Sequence, residues 1–274
     1  MQVIHELPHP ALAPYIRCYW DLTHTLAPNE ALDVAFGCTG RAHLIIPLIN
    51  TFYKSVGESE PYQAPACGIH GQHTKPVTKH FSGLTRALVV DFTPTGMYAL
   101  WPMPTNELTN LTLDLSEVGG SVIRELTEQL LNTPGPTQRF AVLEAYLLRR
   151  LRQVVTTATD GRLEAAVWQL QQRPGFVKVR QLANYLNCTE RTLNRRFTEV
   201  VGVPPKMYAR VQRFLQTLRW LNQQQQHPKR HWHDLVTAAG YYDQSHLIHE
   251  FKAFAGRPPQ LYGIDQQLLS DFMR

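Results

Sequence analysis

The 274-residue chain predicts an α+β protein of two domains, a β-rich half ending in a helical hairpin and then an all-α half. Three observations carry this. Residues 1–115 hold short β-leaning runs between turn signals and no long helical pattern. From Ser116 onward, apolar residues recur at helical spacing. The C-terminal half also repeats itself about 54 residues apart, as a duplicated supersecondary unit does.

In the first half the strand-like runs are YIRCYW at Tyr15–Trp20, HLIIPLI at His43–Ile49 and RALVVDF at Arg86–Phe92. Short strands punctuated by proline and glycine predict an antiparallel sandwich or barrel. Ser116 can cap the first helix of the hairpin, with Val122, Ile123, Leu126, Leu130 and Leu131 on one apolar face. TPGPT at Thr133–Thr137 breaks it. A second helix from Arg139 keeps Leu143, Tyr146, Leu147 and Leu151 in register. The small, polar stretch Thr156–Gly161 reads as a linker, dividing the chain into 1–158 and 159–274.

In the second half, Leu163–Gln171 is helical, with Val167, Trp168 and Leu170 apolar. Leu182, Ala183 and Leu186 then mark a short helix, and Asn187–Cys188 end it. Thr189 is an N-cap residue, because its hydroxyl can accept from an orphan backbone N–H. Leu193, Phe197 and Val200 form the buried face of the next helix, with Glu190, Arg191, Asn194, Arg195 and Arg196 on its other side. Tyr208, Val211, Leu215, Leu218 and Leu221 follow at the spacing of a long helix. At 1.5 Å per residue it spans roughly 27 Å, close to the ~34 Å of one DNA turn. Gln223–His231 ends it as a solvated helix end and loop.

The repeat pairs TERTLNRRFTEVVGVPPKMY, from Thr189, with DQSHLIHEFKAFAGRPPQLY, from Asp243. Leu193 meets Leu247, Phe197 meets Phe251, Gly202 meets Gly256, and Tyr208 meets Tyr262. On these residues, 175–262 resembles the tandem helix-turn-helix domain of AraC/XylS-type transcription regulators. The first half is similar to the sensor half of one subgroup of them. That resemblance implies a cupin-like β-barrel sensor, and RALVVDFTPTGMYALWPMPTNELTNLTLDLSEV looks most like it. It also implies that the helical hairpin forms a dimer contact; covering one end of the barrel is the plainer role.

Charge agrees with the division. Residues 1–158 hold 11 Lys+Arg against 13 Asp+Glu, and residues 159–274 hold 16 against 9. A basic C-terminal half predicts a double-stranded DNA partner for that half alone. Cys18, Cys38, Cys67 and Cys188 lack Cys-x-x-Cys spacing, which predicts free thiols in a reducing cytoplasm and no zinc module. No signal peptide opens the chain, and no apolar run nears the ~20 residues of a membrane helix.

Arg191 and Arg195 share a helix face, and an Arg can bond guanine O6 and N7 together, as Asn194 can adenine N6 and N7. The resemblance also places Arg191, Asn194 and Arg195 against bases. Arg196 turns aside, toward a phosphate or a salt bridge. In the second unit Gln244, Ser245 and His249 correspond, with His246 common at its place in the subgroup. His249 stands where an Arg is usual, which implies a weaker or softer second reader.

Candidate ligand-binding residues are Trp20, Phe36, His43, Phe92, Tyr98 and Trp101, an apolar and aromatic set with one polar group. His43, His70, His73 and His80 raise a metal site, but no His-x-His with a following Glu appears, and no metal or cofactor is expected. No catalytic triad, phosphate loop or carboxylate pair is recognisable. The chain therefore reads as a non-enzymatic, sequence-specific DNA-binding regulator answering to a small-molecule effector. RNA polymerase and a second copy of the chain are further candidate partners. The alternatives are a metal-dependent cupin enzyme fused to a DNA-binding tail, and a constitutive DNA-binding protein whose first half only dimerises.

Overall fold

The computed structural model describes residues 2–27, 30–154, 161–224 and 232–261. The expected linker up to Asp160, residues 225–231 of the glutamine-rich stretch, and Tyr262 lie outside the described residues.

The strands are β1 (Gln2–Glu6), β2 (Ile16–Thr25), β3 (Ala31–Phe36), β4 (His43–Ile49), β5 (Tyr53–Val56), β6 (Tyr62–Gln63), β7 (Gly68–His70), β8 (Val77–Ser82), β9 (Leu84–Phe92) and β10 (Thr112–Asp114). They form two antiparallel sheets, ordered β1-β2-β9-β4-β7-β10 and β3-β8-β5-β6. In the larger sheet both faces are covered, so β4 and β9 read as apolar runs rather than as strict alternation. The pleat still sorts their side chains. Tyr19, Leu44, Ile46, Leu88, Val90 and Phe92 face helices. Trp20, Ile45 and Val89 face the smaller sheet, with Phe52 opposite. A one-residue slip would exchange the two sets.

The helices on the outer face are α1 (Gly96–Leu100), α2 (Leu115–Asn132) and α3 (Pro136–Gln153). The turn into α1 requires Gly96, since a Cβ there would lie 1.8 Å from the Tyr15 carbonyl oxygen. Asp114, not Ser116, caps α2: its carboxylate accepts from the Ser116 N–H at 2.9 Å. Ile123, Leu126 and Leu130 are buried, whereas Val122 and Leu131 are half exposed. Those two fall at the edges of the buried stripe, because at 100° per residue Val122 and Leu131 lie on opposite sides of Ile123, Leu126 and Leu130.

The C-terminal half is helical: α4 (Gly161–Gln172), α5 (Val179–Tyr185), α6 (Glu190–Val201), α7 (Pro205–Gln224), α8 (Trp232–Ala239) and α9 (Gln244–Ala255). Its first unit packs Leu163, Ala166, Leu170, Leu182, Leu193 and Phe197 around Tyr208 at the start of α7. Trp168, expected among the apolar positions, is 57% exposed. The second unit packs Leu235, Ala239, Tyr241 and Leu247 together. At 20 residues, α7 is about 30 Å long and serves both units.

Candidate nucleic-acid interface and sensor cavity

Helix α6 is built to begin and end sharply. The Thr189 hydroxyl accepts from the Thr192 N–H at 3.1 Å, and Gly202 closes the helix at φ 96°, a left-handed conformation open to glycine. Asn187, at φ 51°, makes the left-handed turn from α5. Leu193, Phe197 and Val200 face inward, so Thr189, Arg191, Arg195 and Arg196 stand exposed on the far side. Asn194 is half-buried there and donates to the Glu190 carbonyl at 2.8 Å. Arg196 lies 3.4 Å from Glu199 in an exposed i,i+3 ion pair.

Helix α9 repeats the plan. The Asp243 carboxylate accepts from the His246 N–H at 2.7 Å, and Gly256 ends the helix at φ 77°. Gln244, Ser245, His246 and His249 are exposed. His246 is partly committed to the turn, accepting from the Tyr242 N–H at 3.3 Å with its ring edge-on to Tyr241.

What fixes α9 against α7 was not legible in the motif. Glu250, 3% exposed, accepts from Arg210 at 2.7 Å and from Arg213 at 2.8 Å. Arg213 also donates to the Gly240 carbonyl at 3.1 Å and lies over the Tyr241 ring. One guanidinium thus holds the turn and the reading helix together. A sequence signal existed: Glu250 falls on the Leu247–Phe251–Phe254 face, where a carboxylate needs cationic partners.

The two halves meet at both units. Thr105 donates to the Glu199 carbonyl at 2.7 Å, Thr109 to the Gly202 carbonyl at 2.5 Å, and Tyr98 to the Glu199 carboxylate at 3.3 Å. These contacts clamp the C-terminal end of α6 and leave its N-terminal, Arg-bearing end clear. Burial and the Glu199 charge raise the Tyr98 phenol above its ordinary range, so it stays a neutral donor. At the second unit, Phe36 and Cys38 of the sheet domain join a core with Val211, Phe214, Leu218, Phe251 and Phe254.

Between the sheets lie two cavities. One is lined by Phe36, His43, Lys54, His70, His73, Lys79 and, from α7, Leu218. The other is lined by Leu22, Phe36, Phe52, Lys79 and Phe81, among others. Phe36, Ile45, Lys79 and Val89 wall both. Lys54 is fully buried, and its ammonium donates to His70 Nδ1 at 2.9 Å, His73 Nε2 at 3.1 Å and Thr112 Oγ1 at 2.8 Å. The histidine nitrogens that would face a metal ion therefore face an internal cation. Among the described residues no group of three His, Cys, Asp or Glu side chains is placed to hold a metal. Of the other histidines, His80 pairs with the Asp33 carboxylate at 2.7 Å, and His43 lies 3.3 Å from Asp91.

Burial, with the nearby Lys79 charge, lowers Lys54 to about 7, and burial lowers Lys79 to about 8. Burial and the Lys54 charge push His70 and His73 well below the usual imidazole value, so both rings are neutral. Beside His43, burial would raise the Asp91 carboxyl, but Arg41 and His43 outweigh it and bring it to about 2.

Of the six expected ligand residues, Phe36 and His43 line a cavity. Phe92 and Trp101 sit instead in the core between sheet and helices, edge to face at 6.0 Å. Trp20 is buried between the sheets but is not part of either lining. Tyr98 belongs to the seam. The pleat explains Phe92, which shares its side of β9 with Leu88 and Val90, the helix-facing side. Lys54 and Lys79 went unnoticed in the sequence. Lysines read as surface residues, although β5 pairs with β8 on a sheet whose inner face must be covered.

Among the described residues no helix is long and apolar enough to cross a membrane. The chain matches no curated protein. Among solved structures it is similar to ToxT from Vibrio cholerae O395, at 9% identity over 89% of this chain and 96% of that one, TM-score 0.49. It is also similar to unsaturated fatty acid bound wild-type ToxT from Vibrio cholerae strain SCE256, at 11% identity over 88% and 93%, TM-score 0.46. The AraC-like transcriptional activator CuxR matches at 13% identity over 78% and 86%, TM-score 0.31. Residues 5–114 match a family described as a domain of unknown function (DUF6597). Residues 182–263 match the helix-turn-helix domain family. With two capped helices set on one long helix, the C-terminal part of this chain is a helix-turn-helix domain of the AraC type.

Proposed function

We propose that this regulator reads two successive major-groove segments with α6 and α9, and that a small molecule in the sheet cavities sets how the helices are held. Arg191, Asn194 and Arg195 read bases from α6; Gln244, Ser245 and His249 read them from α9. Thr189, Arg196 and His246 shape the helix starts and flanks. Residues 1–158 act as the sensor and 159–274 as the reader. The dividing point lies outside the described residues.

The observation that carries the reading is that Phe36 and Leu218 each do two things. Both wall the ligand cavity, and both pack into the core that seats α7 and α9. A ligand that moves either ring or chain moves the second reading unit. This favours sensing over a purely dimerising first half.

The test uses the full chain. Genomic fragments that it retains, once sequenced, should share a motif in two parts about one DNA turn apart. Retention without a shared motif contradicts sequence reading. Leu218→Trp fills the cavity from the α7 side without touching the exposed faces of α6 and α9. It should shift affinity for a retained fragment several-fold. Unchanged affinity, with the variant folded, contradicts the coupling.

A further inference from the structure

Resting on that reading of the cavities as the sensor site, we infer that they take an amphipathic monoanion. Its carboxylate lies against Lys79, beside Lys54 and His73, and its apolar part fills the chamber of Phe36, Phe52 and Phe81.

The register of the smaller sheet supplies the first reason. Lys54 of β5 lies directly opposite Lys79 of β8. Like charges directly opposite in an antiparallel pair destabilise the sheet, and both ammonium groups also face a largely apolar lumen. Neither cavity lining contains a carboxylate. Asp91, which contacts His43, already serves Arg17 and Arg41 as well.

The lysines differ in what they have left to give. Lys54 has three acceptors for its three protons. Lys79 has ring faces, at 4.6 Å from Phe36 and 5.0 Å from Phe52. Cation–π contact favours a cation only modestly and leaves its N–H groups without an acceptor. The histidines add donors rather than acceptors. An ammonium donating to His70 Nδ1 and His73 Nε2 fixes the ring protons on the other nitrogens. Those nitrogens, His70 Nε2 and His73 Nδ1, are buried without a hydrogen-bond partner among the described residues. The polar chamber thus holds surplus positive charge and surplus donors, and an acceptor anion answers both. A cation would add a third positive charge, and a metal would find its nitrogens already used.

The second chamber sets the rest of the molecule. Leu22, Val34, Phe36, Phe52, Phe81 and Val89 give it an apolar wall continuous with Lys79. Among the described residues of the two linings, one ammonium, that of Lys79, has no hydrogen-bond acceptor, which matches one negative charge rather than a phosphate dianion.

Isothermal titration of the full chain with octanoate, 1-octanol and n-octylamine tests this, since the three share a chain and differ in the head. Octanoate should bind at least ten-fold more tightly than octanol, and octylamine should not bind. Lys79→Met should cut octanoate affinity at least ten-fold and bring it level with octanol; Lys79→Arg should keep most of it. Circular dichroism establishes that both variants fold, and Lys79→Gln replaces Lys79→Met if that one does not. At pH 8.5, octanoate binding should also take up protons, seen as a heat that depends on the buffer's ionisation enthalpy. Octanol binding as tightly as octanoate, no octanoate binding, or an unchanged affinity in folded Lys79→Met or Lys79→Gln overturns the inference. DNA affinity separates the two readings. Octanoate that binds but leaves DNA affinity unchanged supports the anion site and contradicts sensing. If Leu218→Trp shifts DNA affinity while octanoate fails to bind, sensing stands and the anion site falls.

Discussion

The Thr105 hydroxyl, in the sheet domain, donates to the backbone carbonyl of Glu199 at 2.7 Å, in the last turn of the first reading helix. Thr109 does the same for Gly202, one turn further on. The last carbonyls of a helix have no intrahelical partner, so here the sheet domain satisfies the end of α6.

The Thr105→Val, Thr109→Val double variant should uncouple the halves at this end. Each lost hydrogen bond contributes about 0.5–1.5 kcal/mol. Proteolysis between the domains should speed up several-fold, while the double variant should still bind a retained DNA fragment. Unchanged cleavage would mean that the seam is held elsewhere.

Glu250→Gln should damage the second unit heavily, since Glu250 is buried between Arg210 and Arg213. Removing one partner of a buried charge cluster costs roughly 3–5 kcal/mol, here leaving Arg210 and Arg213 facing a neutral amide. Urea unfolding should show the loss, and protection of the second half-site should vanish before that of the first.

The two reading helices should contribute unequally. Losing a bidentate base contact costs roughly 1–3 kcal/mol, so Arg195→Ala should weaken specific binding about ten-fold or more. A neutral imidazole offers one donor, so His249→Ala should cost less, and His249→Arg should tighten binding. Fluorescence anisotropy on one retained fragment checks all three. If His249→Ala abolishes binding and Arg195→Ala does not, the order is reversed.

Helix existence, the two helix-turn-helix units and the Thr189 cap were legible because 3.6-residue periodicity and N-cap chemistry are local signals. The exceptions follow the same logic. Ser116 and Asp114 both suit an N-cap, and only the backbone decides that Asp114 serves. Phe92 and Trp101 look like pocket aromatics, but the pleat turns Phe92 toward the helices, and Trp101, at the end of α1, packs against it there. Lys54 and Lys79 were silent because each owes its role to partners on other elements, whereas Glu250 left a signal in its place on an apolar helix face. The seam joins residues more than ninety positions apart, beyond any periodicity.

Stability should rise with pH in the ligand-free protein. The cavity lysines release their protons near about 7 and about 8 when folded, against 10.5 ordinarily. Between those values the unfolded chain binds more protons, so its disadvantage grows as pH rises. Thermal unfolding between pH 7 and pH 10 should show the trend, and Lys79→Met should flatten it and raise the midpoint at pH 7. Asp91 acts in the opposite range: its depressed carboxyl stabilises the fold above its ordinary value and ceases to do so as pH falls toward about 2. A midpoint that falls steadily from pH 7 to pH 10 in wild type and Lys79→Met alike would contradict this assignment.

Footprinting of the full chain on a retained genomic fragment tests the central claim most directly. Two helices on α7, about 30 Å long, should protect two major-groove segments centred about 10 base pairs apart on one face of the duplex. Arg195→Ala should lose protection of one segment and keep the other. A single continuous footprint that Arg195→Ala leaves intact, or binding indifferent to sequence, would contradict it.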